Sequence, residues 1–214
     1  ARGRQKRFVV VLGFTAILLA GALFFVRINP ACRQNLAVHH AQYQELAEAL
    51  SEGKVSVGDA EKALLAVKNP YDTIALQAAG IGYRADYAYH DGKYYVYFGI
   101  VPVLLLYLPY YLLTGDALQN YVAVFVFFAG FIIAAAGFVY ELMKRYFKEQ
   151  PFYLWALGTG MLVGSYSMFY LLIRPDLYHV PIVASPMFAT GGLWLYLAGL
   201  NRPKKAVGLY AFGS

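Results

Sequence analysis

Asp86-Tyr-Ala-Tyr-His-Asp-Gly-Lys-Tyr-Tyr-Val-Tyr-Phe-Gly99 runs directly into Ile100-Val-Pro-Val-Leu-Leu-Leu-Tyr-Leu-Pro-Tyr-Tyr-Leu-Leu113. The first half is polar, aromatic and turn-forming, with a strong turn signal at Asp91-Gly92. The second half is apolar but interrupted by Pro102 and Pro109, each of which removes a backbone donor and disturbs a helix. The junction delivers Lys93, Tyr94, Tyr95 and Tyr97 to the edge of a greasy segment. Tyrosine favours such a border, where the ring is buried and the hydroxyl stays wet. The stretch reads as a membrane-interface platform beside a polar site.

The surrounding composition agrees with a membrane setting. Of 214 residues, 60% are hydrophobic and 14% charged, with a mean hydropathy of +0.49; soluble domains carry about 25% charged residues. Several apolar runs reach the roughly 20 residues that a bilayer crossing needs. The net charge of +6 is concentrated at the edges of these runs, so it argues topology and not nucleic-acid binding. The single cysteine, Cys32, excludes an intrachain disulfide.

Charge then orders the chain. Residues 1–7 carry Arg2, Arg4, Lys6 and Arg7 ahead of an apolar run at 8–26, which is expected to be an uncleaved span with a cytoplasmic N-terminus. Lys144, Arg145 and Lys148 form a second basic cluster in a 143–151 loop, and Arg202, Lys204 and Lys205 a third in 201–207. If all three are cytoplasmic, each interval between them crosses an even number of times. The runs 152–173 and 177–200, joined by a corner at 174–176, satisfy this for the second interval. The first interval holds three runs, so one cannot cross. The proline-broken segment is the exception: 93–117 is expected as an interfacial or re-entrant segment on the outer face, and 118–142 as the returning span. The alternative is an ordinary kinked span with the 144–148 cluster outside.

Residues 27–92 read as a long outer loop carrying interfacial helices. Tyr43, Leu46, Ala47 and Leu50 share one side of a helix over 39–50, with Gln42, Glu45 and Glu48 largely elsewhere. Ser56-Val-Gly-Asp59 has capping-box spacing before a second short helix at 60–68 that Asn69-Pro70 stops, and 71–85 reads as loop. The absent initiator Met and the apolar 208–214 suggest an N-terminal fragment of a larger polytopic fold, ending at the start of a further span. The small residues Gly158, Gly160, Gly164, Ser165 and Ser167 suit helix packing. The fold class expected is an all-α integral membrane protein with about four transmembrane helices.

On this topology Arg84, Asp86, Asp91, Lys93, Arg174 and Asp176 share the outer face. A carboxylate among cations suits an anionic substrate, the carboxylate taking a proton and the cations holding phosphate. Local ion pairs, Arg84 with Asp86 and Arg174 with Asp176, are the plainer reading. His39-His40 point about 100° apart on a helix and have no convergent partners, so no metal is expected. No cofactor motif occurs, and no inverted repeat or mid-span charge supports a transporter.

Three stretches resemble the C-type superfamily of polytopic membrane glycosyltransferases, which includes protein mannosyltransferases and lipid A aminoarabinose transferases. They are Tyr43-Gln-Glu-Leu-Ala-Glu-Ala-Leu-Ser-Glu-Gly53 after the first span, Asp91-Gly-Lys-Tyr-Tyr-Val-Tyr-Phe-Gly-Ile-Val-Pro-Val-Leu-Leu-Leu-Tyr-Leu-Pro109, and Arg174-Pro-Asp176. In order and spacing they cover most of 8–200. The resemblance implies transfer of a sugar from a polyprenyl-phosphate-linked donor to a cell-envelope glycan, lipid or protein acceptor, at the outer face of the cytoplasmic membrane of a bacterium. It implies an acid before the surface helix, where this chain has Leu36-Ala-Val-His39-His40. Asp86 is the substitute base, with Arg84, Lys93 and Arg174 as phosphate partners and Tyr94, Tyr95 and Asp176 beside the groove. A non-catalytic lipid-carrier-binding or scaffold protein of the same fold is the alternative.

Overall fold

The computed structural model describes residues 2–33, 41–165, 168–202 and 206–213. It is mostly helical and divides into two units, one formed by 1–35 with 120–214 and the other by 36–119. His39 and His40 lie outside the described residues.

Among its described residues, the first unit holds three helices long and apolar enough to cross a membrane. They lie in α1 (Arg2–Ile28), α5 (Asn120–Tyr146) and α8 (His179–Asn201). The run read as one crossing at 152–173 is described as α6 (Tyr153–Ser165) and α7 (Met168–Ile173), with 166 and 167 outside the described residues. A last helix, α9 (Ala206–Gly213), follows the third basic cluster.

Side-chain contacts fix the helix directions within this unit. Near the start of α1, Arg7 lies 5.6 Å from the Phe152 ring and Phe14 packs edge-on against Trp155 at 5.3 Å. Trp155 in turn donates its indole N–H to the Ala136 carbonyl of α5 at 3.0 Å. Near the other end of α1, Phe25 meets Phe169, which also meets Phe128 of α5. Thus α1 and α5 are antiparallel. Glu141 of α5 binds Asn201 and Arg202 at the end of α8, so α5 and α8 are parallel. One end of the unit therefore gathers Arg7, Lys144, Arg145, Lys148 and Arg202.

Glycine lets α5 and α8 approach closely at their seam. A methyl group added at Gly137 would run into the Trp194 indole, and one at Gly130 into the Met187 side chain. Gly158 would only touch Val139 at 3.4 Å, and Gly160 and Gly164 face open space. Close packing thus falls on α5 and α8, where Gly199 likewise abuts Tyr210, and not on the small-residue run of α6. Gly137→Ala is expected to destabilise the protein by about 1–3 kcal/mol, because the rigid indole cannot yield as a methionine can. Gly160→Ala should be neutral or stabilising by up to about 1 kcal/mol. Thermal unfolding in detergent separates the two, and equal midpoints for both variants would contradict the seam.

The second unit has α2 (Gln42–Ser51), β1 (Gly58–Asp59), a 3₁₀ turn at Lys62–Ala66, α3 (Thr73–Ala78), β2 (Ala88–His90), β3 (Lys93–Tyr95) and α4 (Leu108–Thr114). A π-helical stretch, Val103–Tyr107, leads into α4. Several of these correct the sequence reading. The chain is mostly helical as expected, but this unit also holds a short three-stranded sheet in the order β1-β3-β2. The supposed capping box is strand β1, held to β3 by Val57 N–H to the Tyr94 carbonyl at 2.9 Å. The segment read as loop contains α3, whose N-terminus is capped by the Asp72 carboxylate accepting from Ala75 N–H at 3.0 Å.

On α2, Tyr43, Leu46 and Ala47 are buried as the periodicity predicts, but so is Gln42. Gln42, Leu46 and Ala49 form one i, i+4, i+7 stripe, which places the amide on the apolar side. Tyr43 packs against Tyr107 at 5.3 Å and Phe98 at 6.3 Å, which seats α2 on the proline-broken helix. The wide turn before α4 has a local cause. Leu108 donates to the Val103 carbonyl five residues back, so the helix has already opened where Pro109 brings its ring and lacks a donor. From Val103 to Thr114 the helix is roughly 18 Å long at 1.5 Å per residue, against about 30 Å of hydrocarbon. Gly115, in the left-handed region at φ 75°, ends it.

Candidate functional site

The polar centre of the second unit is built on the hairpin β2–β3. Asp91 and Gly92 both have positive φ, 45° and 75°, the pairing a two-residue type I′ turn requires. Tyr89 pairs with Tyr94 and His90 with Lys93 across it. The pleat then sorts the side chains: Lys93 is exposed and Tyr95 half-buried, while Tyr94 points inward. The Tyr94 ring packs between Tyr87 and Tyr89, over Leu64 and Leu76. Tyr94 therefore sits in the core of this unit. Tyr71 guards the edge strand, accepting from Tyr89 N–H at 2.9 Å and donating to its carbonyl at 3.2 Å.

Arg84 is held by Glu45, which lies off the apolar side of α2. Its Nη2 lies 2.6 Å from Glu45 Oε2 and 2.7 Å from the Tyr87 hydroxyl, which itself donates to Glu45 at 2.8 Å. The guanidinium carbon sits 4.0 Å from the Tyr87 ring centroid. Burial works against the charge on Arg84, but the Glu45 hydrogen bond and nearby negative charge outweigh it and raise its pKa. Burial first, and then Glu45, push the Tyr87 hydroxyl well up, so it remains a donor. Burial also pushes Tyr43 up to about 12. The ion pair joins α2 to the segment entering the hairpin, and Arg84 pairs with Glu45 in place of the expected Asp86.

Asp86 follows at φ 62°, a left-handed conformation uncommon outside glycine, though Asp tolerates it better than most. Asp86 is half-buried and takes part in no ion pair among the described residues. Burial, then the Asp86 charge, raise the Tyr97 pKa, keeping that hydroxyl protonated. Lys93 lies at the opposite end of the hairpin, on a cleft of about 460 Å³ shared with Glu45, Glu48, Glu52 and Asp59. The hairpin thus separates Asp86 from Lys93.

Arg174 and Asp176 belong to the first unit, at the corner between α7 and α8. Asp176 N–H donates to the Arg174 carbonyl at 2.8 Å, and the Asp176 carboxylate accepts from Leu177 N–H at 2.6 Å. Asp176 shapes the corner, and the Arg174 side chain is exposed. No cluster of three or more metal-ligating side chains exists among the described residues.

No protein-family model, curated protein or solved structure matches this chain. The chemistry of its site is therefore read from these residues alone.

Proposed function

We propose that this protein is a membrane glycosyltransferase that moves a sugar from a polyprenyl-phosphate-linked donor to a cell-envelope acceptor, with Asp86 as the base. The observation that carries this reading is the Asp86 carboxylate. It is without an ion pair among the described residues and is held in an uncommon backbone conformation of the kind that clusters at functional sites. The resemblance of 43–53, 91–109 and 174–176 to C-type glycosyltransferases supports it as well. In the reaction Asp86 accepts the proton of the acceptor hydroxyl and the oxygen attacks the anomeric carbon. The bond from that carbon to the phosphate oxygen breaks, and polyprenyl phosphate leaves with the electron pair. Lys93, exposed on the unit that carries Asp86, is the candidate for the lipid phosphate.

The membrane arrangement belongs to the same proposal. The basic end of the first unit faces the cytoplasm. The chain crosses four times, the third crossing being α6 with α7, and the short 103–114 helix lies at the outer interface. The engagement of Arg84 by Glu45 favours one second reading, a lipid-carrier-binding protein without turnover, because it removes a cation expected to hold phosphate.

The test is transfer of label from undecaprenyl phosphate carrying radiolabelled glucose, mannose or arabinose, in membrane vesicles containing the full chain. Label that leaves undecaprenyl phosphate only when the protein is present supports the transferase. Saturable binding of undecaprenyl phosphate, with label retained on that carrier for every sugar, supports the second reading.

A further inference from the structure

The basic end of the first unit contains a cleft of about 450 Å³ that the proposed chemistry does not use. Three cations line it: Arg7 from the start of α1, Lys144 from the last turn of α5, and Lys148 just beyond. Gln150 adds an amide, and Phe147 and Phe152 form apolar walls. Among the described residues, no carboxylate lines the cleft. Glu141, buried below it, engages Lys144 at 3.2 Å and leaves that ammonium other donors to offer. Neither Arg7 nor Lys148 has an ion pair among the described residues. Arg7 lies 5.6 Å from the Phe152 centroid, so its charge is held over the wall of the cleft by the ring face.

We propose that this cleft binds the phosphate headgroup of an anionic membrane lipid. Charge complementarity selects an anion, and three converging cations suit a phosphate. Position selects a lipid over a soluble phosphate. Arg7 stands immediately before the apolar span that begins at Val9, and Lys144 and Lys148 stand at the end of another. This is the depth at which headgroups sit beside a spanning helix. Val10, about one turn beyond Arg7 on α1 and half exposed, offers apolar surface where an acyl chain would continue from the headgroup. This inference does not rest on the glycosyltransferase reading.

The test uses the purified full chain in dodecyl maltoside micelles, titrated with phosphatidylglycerol, phosphatidylcholine or glycerol 1-phosphate, with bound molecules counted by native mass spectrometry. One phosphatidylglycerol should be retained in preference to phosphatidylcholine. The Arg7→Ala/Lys148→Ala double variant should bind it at least about tenfold more weakly, on the scale of surface lysines and arginines near anionic lipid. Arg7→Lys/Lys148→Arg should restore binding, and Arg33→Ala, which removes a cation elsewhere, should leave it unchanged. Size-exclusion chromatography confirms that each variant is folded. Equal retention of the two lipids, or unchanged binding by the double-alanine variant, would overturn the proposal. Glycerol 1-phosphate binding as tightly as the lipid would overturn it in favour of a soluble phosphate.

Discussion

Asp86→Asn is expected to reduce sugar transfer by roughly 10²–10⁴-fold, the range over which a positioned general base contributes. The substitution keeps the size of the side chain, and Asn tolerates left-handed backbone as Asp does, so folding should be unaffected. Asp86→Gly supplies the decisive companion. At φ 62° glycine has no steric penalty, so this variant should be as stable as the native protein or more so by about 1 kcal/mol. It should nonetheless be as inactive as the Asn variant. An inactive protein with an unchanged melting temperature assigns the loss to the carboxylate. Full turnover by either variant would remove Asp86 from the mechanism, whatever became of the rest of the proposal.

Glu141→Gln is expected to lower stability by about 1.5–3 kcal/mol. The Glu141 side chain is 2% exposed at the α5–α8 junction, where it accepts from Arg202 at 2.6 Å, Asn201 Nδ2 at 2.7 Å and Lys144 at 3.2 Å. A buried carboxylate in an apolar helix is tolerated only with such partners. The amide retains the shape and one acceptor but cannot balance two cations, and its NH₂ is turned against donors. Arg202 and Lys144 are 48% and 27% exposed and can reach water, so the loss is that of charge-assisted hydrogen bonds and not of a fully buried pair. For a chain of this length the loss amounts to a fall in melting temperature of about 3–12 °C. Thermal unfolding in detergent measures it, and an unchanged midpoint would show that the cluster does not join the two helices.

The features legible in the sequence are those governed by neighbouring residues. Asp91-Gly92 announced its turn because positive φ at two successive positions restricts the residues that fit. The three long apolar helices were legible because length and hydropathy suffice to find them. Their boundaries were less so: α5 continues through Lys144 and Arg145, since cations complement the C-terminal end of a helix dipole instead of ending the helix. Strand β1 was hidden because two residues make no alternating pattern and its partner lies beyond Lys62–Ala66 and α3. The helix α3 was hidden by its brevity, although Asp72 carries the capping signal. In the candidate site, Asp86, Lys93 and the tyrosines could be singled out by type and place. The role of Glu45 could not: on a helical wheel it is one more acidic residue off the apolar side, and its partner Arg84 is 39 positions away. Similarly, the Gly137–Trp194 notch depends on how two helices cross, which neither helix encodes alone.

The measurement that tests the account most directly is cysteine accessibility from outside intact cells. In a Cys32→Ser background, single cysteines replace Asp91, Asp116 and Glu149 in turn and are treated with a membrane-impermeant thiol reagent. The account predicts labelling at 91 and 116 and none at 149, which places the polar unit and both ends of the 103–114 helix outside and the basic end of the bundle inside. Labelling at 91 and 149 but not at 116 would make that helix a true span and contradict the account.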